Sequence, residues 1–142
     1  MEHGMLTLTK PAELTINFIR KGVAMKSHLY YYRALVKYVY DGDTITADID
    51  LGLHAWVHDE KIRLSRINTP ELKGDEREQG LIARDYLREL IDGKEIFLQT
   101  IKDDKGKYGR YIAELWLEQT PNEWINVNDL LVEQGYAQYV TY

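Results

Sequence analysis

Polar and apolar residues alternate strictly from Thr44 to Asp50, with Ile45, Ala47 and Ile49 on one side. Alternation of period two predicts a half-buried antiparallel strand. The stretch before it, Leu29–Tyr40, is rich in Tyr and Val and reads as a strand as well. Asp41-Gly42 between the two is a tight-turn signal. Gly52 marks a second reversal, and Trp56–Ile67 reads as a third strand, stopped by Thr69-Pro70 because proline cannot donate to a ladder. The first half is therefore a β-meander.

The pattern then changes period. After a loop over Glu71–Asp75, the stripe Ile82, Tyr86, Leu90, flanked by Leu81, Leu87 and Ile91, predicts a helix from Glu76 to Ile91. Asp75 with Glu78 resembles a capping box, and Gly93 suits the helix end. Lys94–Ile101 and Tyr111–Glu118 read as two more strands around a polar loop over 102–110. Asn126 or Asn128 caps a short helix through Gln134, closed by Gly135. Three strands, a helix, two strands and a helix suggest an α+β, mainly β, fold: an OB-like five-stranded β-barrel with two flanking helices.

Composition narrows the class. The chain has 142 residues, 44% hydrophobic and 29% charged, enough for one domain with a real core. No apolar run approaches the ~18 residues of a membrane span, so no membrane partner is expected. Cysteine is absent, which excludes disulfides, thiolate metal sites and a cysteine nucleophile. Residues 1–24 do not read as a signal peptide and are expected to be a flexible extension before a domain over 25–142. A cytoplasmic monomer is the matching expectation, with secretion open if a leader was removed. The net charge is −5, composed of +4 over residues 1–40 and −9 over the remainder. A passive nucleic-acid binder usually carries a basic field, so any polyanion here must be met by a bound cation or a few well-placed arginines.

Candidate chemistry collects at one end of the meander. Asp43 and Asn68 flank the open end of the second and third strands, and Glu71 lies just beyond. Such oxygen donors suit Ca²⁺ or Mg²⁺. Arg63 is a charge inside the apolar run Ile62, Leu64, Ile67, and Arg110 follows a glycine in a loop. A cation, two arginines and a glutamate are the parts of phosphodiester hydrolysis. Each has a bland reading. Asp41-Gly42-Asp43 could be only a turn, Arg63 could pair with Asp48 or Glu95, and Arg110 with the lysines around it could be solvated charge. Asp48 and Asp50 on one strand face suggest plain exposure, and Asp103-Asp104 a polar turn. His54 and His58 bracket Trp56 without a third histidine nearby, which argues against an imidazole metal site.

The segments Val39-Tyr40-Asp41-Gly42-Asp43-Thr44, Ile62-Arg63-Leu64 with Ile67-Asn68-Thr69-Pro70-Glu71, Lys107-Tyr108-Gly109-Arg110, and Asn128-Asp129-Leu130-Leu131 with Gln134-Gly135 occur in that order. On these anchors the sequence resembles the staphylococcal nuclease (thermonuclease-like) family over about residues 31–140, nearest to its small intracellular and phage-type members. The resemblance implies an OB-like barrel and a Ca²⁺-dependent endonuclease acting on DNA or RNA and leaving 3′-phosphates. Position by position, it implies Asp43, Asn68 and the Thr69 carbonyl as metal ligands. Glu71 would serve as the base or water-positioning group, and Arg63 and Arg110 as phosphate clamps. Lys107 and Tyr108 would contact nucleotide phosphates, and Asp41 would lie outside the ligand set. Asn68 departs from the Asp of the secreted enzyme and implies weaker metal binding. The alternatives are a non-catalytic OB-barrel that binds nucleic acid or protein, and an E-x-K nuclease core built on Glu71-Leu72-Lys73 with Asp43 or Asp59.

Overall fold

The alternating segment forms the central strand of a three-stranded antiparallel meander. The computed structural model describes residues 29–141; the segment 1–24 expected to be an extension lies outside them. Strand β1 (Tyr31–Asp41) pairs with β2 (Thr44–Gly52), and β2 with β3 (Ala55–Leu64). Ile45, Ala47 and Ile49 are buried as the period predicts. Gly52, Leu53 and His54 turn the second hairpin in succession, all at positive φ.

The third strand is shorter than the sequence suggests. It ends at Leu64; Ser65 and Arg66 turn the chain, and β4 (Ile67–Asn68) runs separately. Arg66 makes this corner at φ 68°, with no glycine or proline to announce it. A 3-10 turn (Gly74–Glu76) leads into helix α1 (Arg77–Ile91). Asp75 does not cap it. Glu76 stands at the cap position, and its carboxylate instead accepts the Glu71 N–H at 2.9 Å. The buried side of α1 carries Gly80, Ala83, Leu87 and Ile91, whereas Ile82 is exposed. The apolar sector is broad, and packing selects the part of it that faces the sheet.

Strand β5 (Glu95–Lys105) runs four residues into the segment expected to be loop, with an irregularity at Lys102 and Asp103, both at positive φ. Strand β6 (Tyr111–Thr120) pairs antiparallel with β5 and, in parallel, with β3. The order β3-β2-β1-β5-β6 with the β3–β6 pairing closes a five-stranded OB-like barrel. Two short strands escape the sequence pattern. β7 (Glu123–Asn126) extends the sheet beside β6, and β8 (Gln138–Tyr139) pairs with β4.

Helix α2 (Val127–Glu133) begins at Asn126, whose side chain accepts the Asp129 N–H at 2.8 Å. Asn128 has another task. Fully buried, it accepts from Leu115 N–H and donates to the carbonyls of Ser65 and Ala113. It thereby ties the β3–β4 corner to β6, where unpaired carbonyls would be costly. The core inside the barrel comprises Val36, Val39, Ile45, Ile62, Leu64, Leu98 and Leu115, with Leu87 and Ile91 from α1 and Leu131 from α2. No helix among the described residues is long and apolar enough to cross a membrane.

Candidate active site

Asp43 is the centre of the site. It follows the Asp41-Gly42 turn, in which the Asp43 N–H donates to Asp41 Oδ1 at 3.0 Å. Its backbone carbonyl accepts the Leu64 N–H at 2.9 Å, so Asp43 lies opposite Leu64 rather than Asn68. Asn68 and Thr69 reach it by the Ser65–Arg66 corner. The Thr69 N–H and hydroxyl both donate to Asp43 Oδ2 at 3.0 Å, and the Thr44 hydroxyl donates to Oδ1 at 3.1 Å. Gly42 makes this approach possible, since a Cβ there would sit 2.8 Å from the Thr69 side chain. Asp43 is 7% exposed. Burial, and after it the charge of Asp43, pushes the Asp41 carboxyl up to about 6.

Arg63 enters from β3, opposite Thr44. Its Nη1 donates to the carbonyls of Leu64 (2.7 Å) and Ile67 (3.0 Å), and its Nη2 to Asn68 Oδ1 (3.2 Å). The same Nη2 lies 3.4 Å from Asp43 Oδ2. Arg63 therefore does not pair with Asp48 or Glu95. Asp48 is buried rather than plainly exposed; it accepts the Asp59 N–H and faces Lys37 and His58. Glu95 lies beside Arg33.

Arg110 arrives from the β5–β6 turn and reaches Thr44 Oγ1 with Nη1 at 3.4 Å, a long hydrogen bond. Its Nε is buried and has no partner among the described residues. A buried N–H left unpaired costs roughly 1–3 kcal/mol, and a phosphate oxygen would satisfy it. The Tyr108 ring stands between two cations, 5.3 Å from Arg110 and 5.2 Å from the Lys107 ammonium. Lys107 and Tyr108 are both exposed at the rim.

Glu71 follows Pro70 in the loop before α1. Its side chain is exposed, without a partner among the described residues, while its N–H is held by Glu76. Gly80 fixes where this loop lies: a Cβ on it would collide with the Glu71 carbonyl and stand 2.8 Å from that of Pro70. The structure thus brings Asp43, Arg63, Asn68, Thr69 and, through Thr44, Arg110 together. Glu71, Lys107 and Tyr108 border that cluster without touching Asp43. Thr44, Gly42 and Gly80 complete the site; only the small glycine between two aspartates signals any of them in sequence.

The donors that the structure brings together are oxygens, the Asp43 carboxylate and the Asn68 amide oxygen, a chemistry suited to a hard divalent cation. No cluster of three or more His, Cys, Asp or Glu side chains suited to a metal occurs among the described residues. Here the Arg63 guanidinium supplies positive charge to Asp43 and Asn68.

The family described as "Staphylococcal nuclease homologue" matches residues 61–142. A protein named thermonuclease, from Staphylococcus intermedius, is 35% identical over 107 residues, covering 73% of this chain and 57% of that protein. An uncharacterized protein of Methanocaldococcus jannaschii is 30% identical over 133 residues, covering 79% and 60%. The chain therefore spans about three-fifths of the length of these relatives.

Proposed function

The chain belongs to the staphylococcal nuclease family, and from that premise we propose that it is a divalent-cation-dependent endonuclease hydrolysing phosphodiester bonds of DNA or RNA. The observation that carries this reading is Arg110: a guanidinium with an orphaned, buried Nε, one hydroxyl away from Asp43. A phosphate oxygen would give this Nε the partner that the described residues do not supply.

Asp43 and Asn68 would hold the cation together with the Thr69 carbonyl. Ca²⁺ is the ion that the family resemblance favours. Bound there, it would polarise a phosphate oxygen and offset charge at phosphorus. Arg63, held by Nη1 on the Leu64 and Ile67 carbonyls, would with Arg110 neutralise the charge growing on the phosphoryl oxygens. Glu71, the unpartnered carboxylate, takes a proton from the water that attacks phosphorus in line. The P–O5′ bond breaks, the 5′-oxygen is protonated from solvent, and a 3′-phosphate remains. Lys107 and Tyr108 hold the neighbouring nucleotide at the rim.

The test is cleavage of single-stranded DNA in Ca²⁺, Mg²⁺, Mn²⁺ and chelator, with Glu71→Gln in parallel. Metal-dependent cleavage, lowered roughly 10²–10⁴-fold in the variant, is the expected result. Absence of cleavage with every ion, while DNA still binds, would overturn the enzyme and leave the binding barrel, with Asn68 as the mark of a lost metal site.

A further inference from the structure

The sheet face leading away from Arg110 carries a second feature. Tyr38 and Tyr40 flank the buried Val39 on β1, so both rings stand on the outer side. Register puts Tyr38 beside Thr46 and Thr46 beside Lys61. These residues, with Thr44 and Arg110, line a cleft of about 470 Å³. One end of the cleft is thus the unsatisfied guanidinium of the proposed active site.

The two tyrosines are held differently. The Arg88 guanidinium lies 5.4 Å from the centre of the Tyr38 ring and donates to its hydroxyl at 3.3 Å. Arg88 is itself anchored on the Val39 carbonyl. Tyr38 is therefore pinned at the far end of the cleft. Tyr40 is 57% exposed and has no hydrogen bond or ring contact among the described residues. The Lys61 ammonium has no acidic partner among them. No lining residue is acidic, although the chain as a whole carries −5. Exposed tyrosines on a strand are ordinary when scattered. Here two share a cleft with a lysine that has no acidic partner among the described residues and open onto an arginine whose Nε is unsatisfied, an arrangement complementary to alternating bases and phosphates.

We propose that this cleft is the track for a single polynucleotide strand continuing from the phosphodiester under attack, with Tyr40 and Tyr38 stacking bases and Lys61 meeting a backbone phosphate. The assignment rests on the nuclease reading for its direction, and deepens it by placing the strand beyond Arg110 across the outer face of β1, β2 and β3.

The test is equilibrium binding of fluorescein-labelled oligothymidylate, as octamer and as dinucleotide, with Ca²⁺ present and in the Glu71→Gln background to suppress cleavage. Tyr40→Ala is expected to weaken octamer binding about tenfold more than dinucleotide binding, and Tyr40→Phe to restore it. Lys61→Ala is expected to lower the salt dependence of octamer binding by about one unit of slope. Circular dichroism of each variant checks that it folds. Equal octamer affinity for Tyr40→Ala and its parent would overturn the track, whether or not the unmutated chain cleaves DNA. Tyr40-dependent binding by a chain that cleaves nothing would instead overturn the nuclease reading and keep the strand on this face.

Discussion

The two arginines of the site sit in regions built on opposite principles. The corner between β3 and β4, which holds Arg63, is over-determined. Arg63 donates to two carbonyls and an amide oxygen, Asn128 gathers Ser65, Ala113 and Leu115, and Arg66 bonds both Glu114 and Asp129. Glu114 also accepts from Asn126, and Tyr139 donates to Asp129. The β5–β6 turn, which holds Arg110, is lightly tied. Two backbone hydrogen bonds close it around Gly106 and the positive-φ Gly109, and Tyr108 is 71% exposed. The difference teaches a division of labour. A crowded polar network holds geometry that must exist before substrate arrives. On the proposed function, a turn with few internal partners leaves Arg110 free to be completed by a phosphate.

The sharpest way to break this comparison is to truncate each arginine. Both Arg63→Ala and Arg110→Ala are expected to lower kcat on single-stranded DNA by about 10²-fold or more. Only Arg63→Ala should also unfold early, by roughly 3 kcal/mol, because it strands Asp43 and two carbonyls in the interior. Arg110→Ala should move the urea midpoint little, because relief of the unpaired Nε offsets the loss of its long bond to Thr44 and its contact with the Tyr108 ring. Equal stability losses would mean that the two regions are not built differently.

A smaller effect sharpens the contrast within the corner. Asn128→Ala leaves one N–H and two carbonyls buried without partners and is expected to cost about 2–4 kcal/mol in urea unfolding. A loss below about 1 kcal/mol would show that the corner does not depend on it.

The smallest effect comes from a carboxylate outside both regions. The Asp59 amide first, and His58 and Lys37 after it, outweigh burial and hold the Asp48 carboxyl below its usual range. A group depressed on folding stabilises above its unfolded pKa, about 3.9. That contribution is lost as pH falls through the folded value. Asp48→Asn should therefore be slightly less stable than its parent at pH 7, with the gap narrowing as pH falls below about 3.9. Thermal melts from pH 7 into the acid range check it, and a gap that stays constant until the protein unfolds in acid would contradict the assignment.

How much of this was legible beforehand differs by element. Thr44–Asp50 could be read because a period of two and a buried face leave one solution for Ile45, Ala47 and Ile49. Helix α1 was legible as a helix but not in its facing: Leu81, Ile82, Tyr86 and Leu87 make several stripes, and only the sheet beneath it selects Leu87 over Ile82. Strands β4 and β8 have two residues each, too few to show any period, and they exist because the Ser65–Arg66 corner brings Ile67 against Tyr139. For the site, a register that sets Asp43 opposite Asn68 predicts their meeting at one end of the sheet. The contact is real but runs through Thr69, because β3 ends at Leu64. The outward reading of Asp48 failed because its neighbours from β1 and β3 fold over it.

The sequence by itself determined the mainly β barrel and the two helices. Those follow from local periodicity, turn residues and residue types, all short-range properties. Only the tertiary structure decided which groups are satisfied and which are not. Arg63 is absorbed into the corner, Arg110 keeps an unpaired N–H, and Tyr40 and Lys61 face a common cleft. Partnership depends on distances between residues far apart in the chain, and closure of the barrel sets those distances.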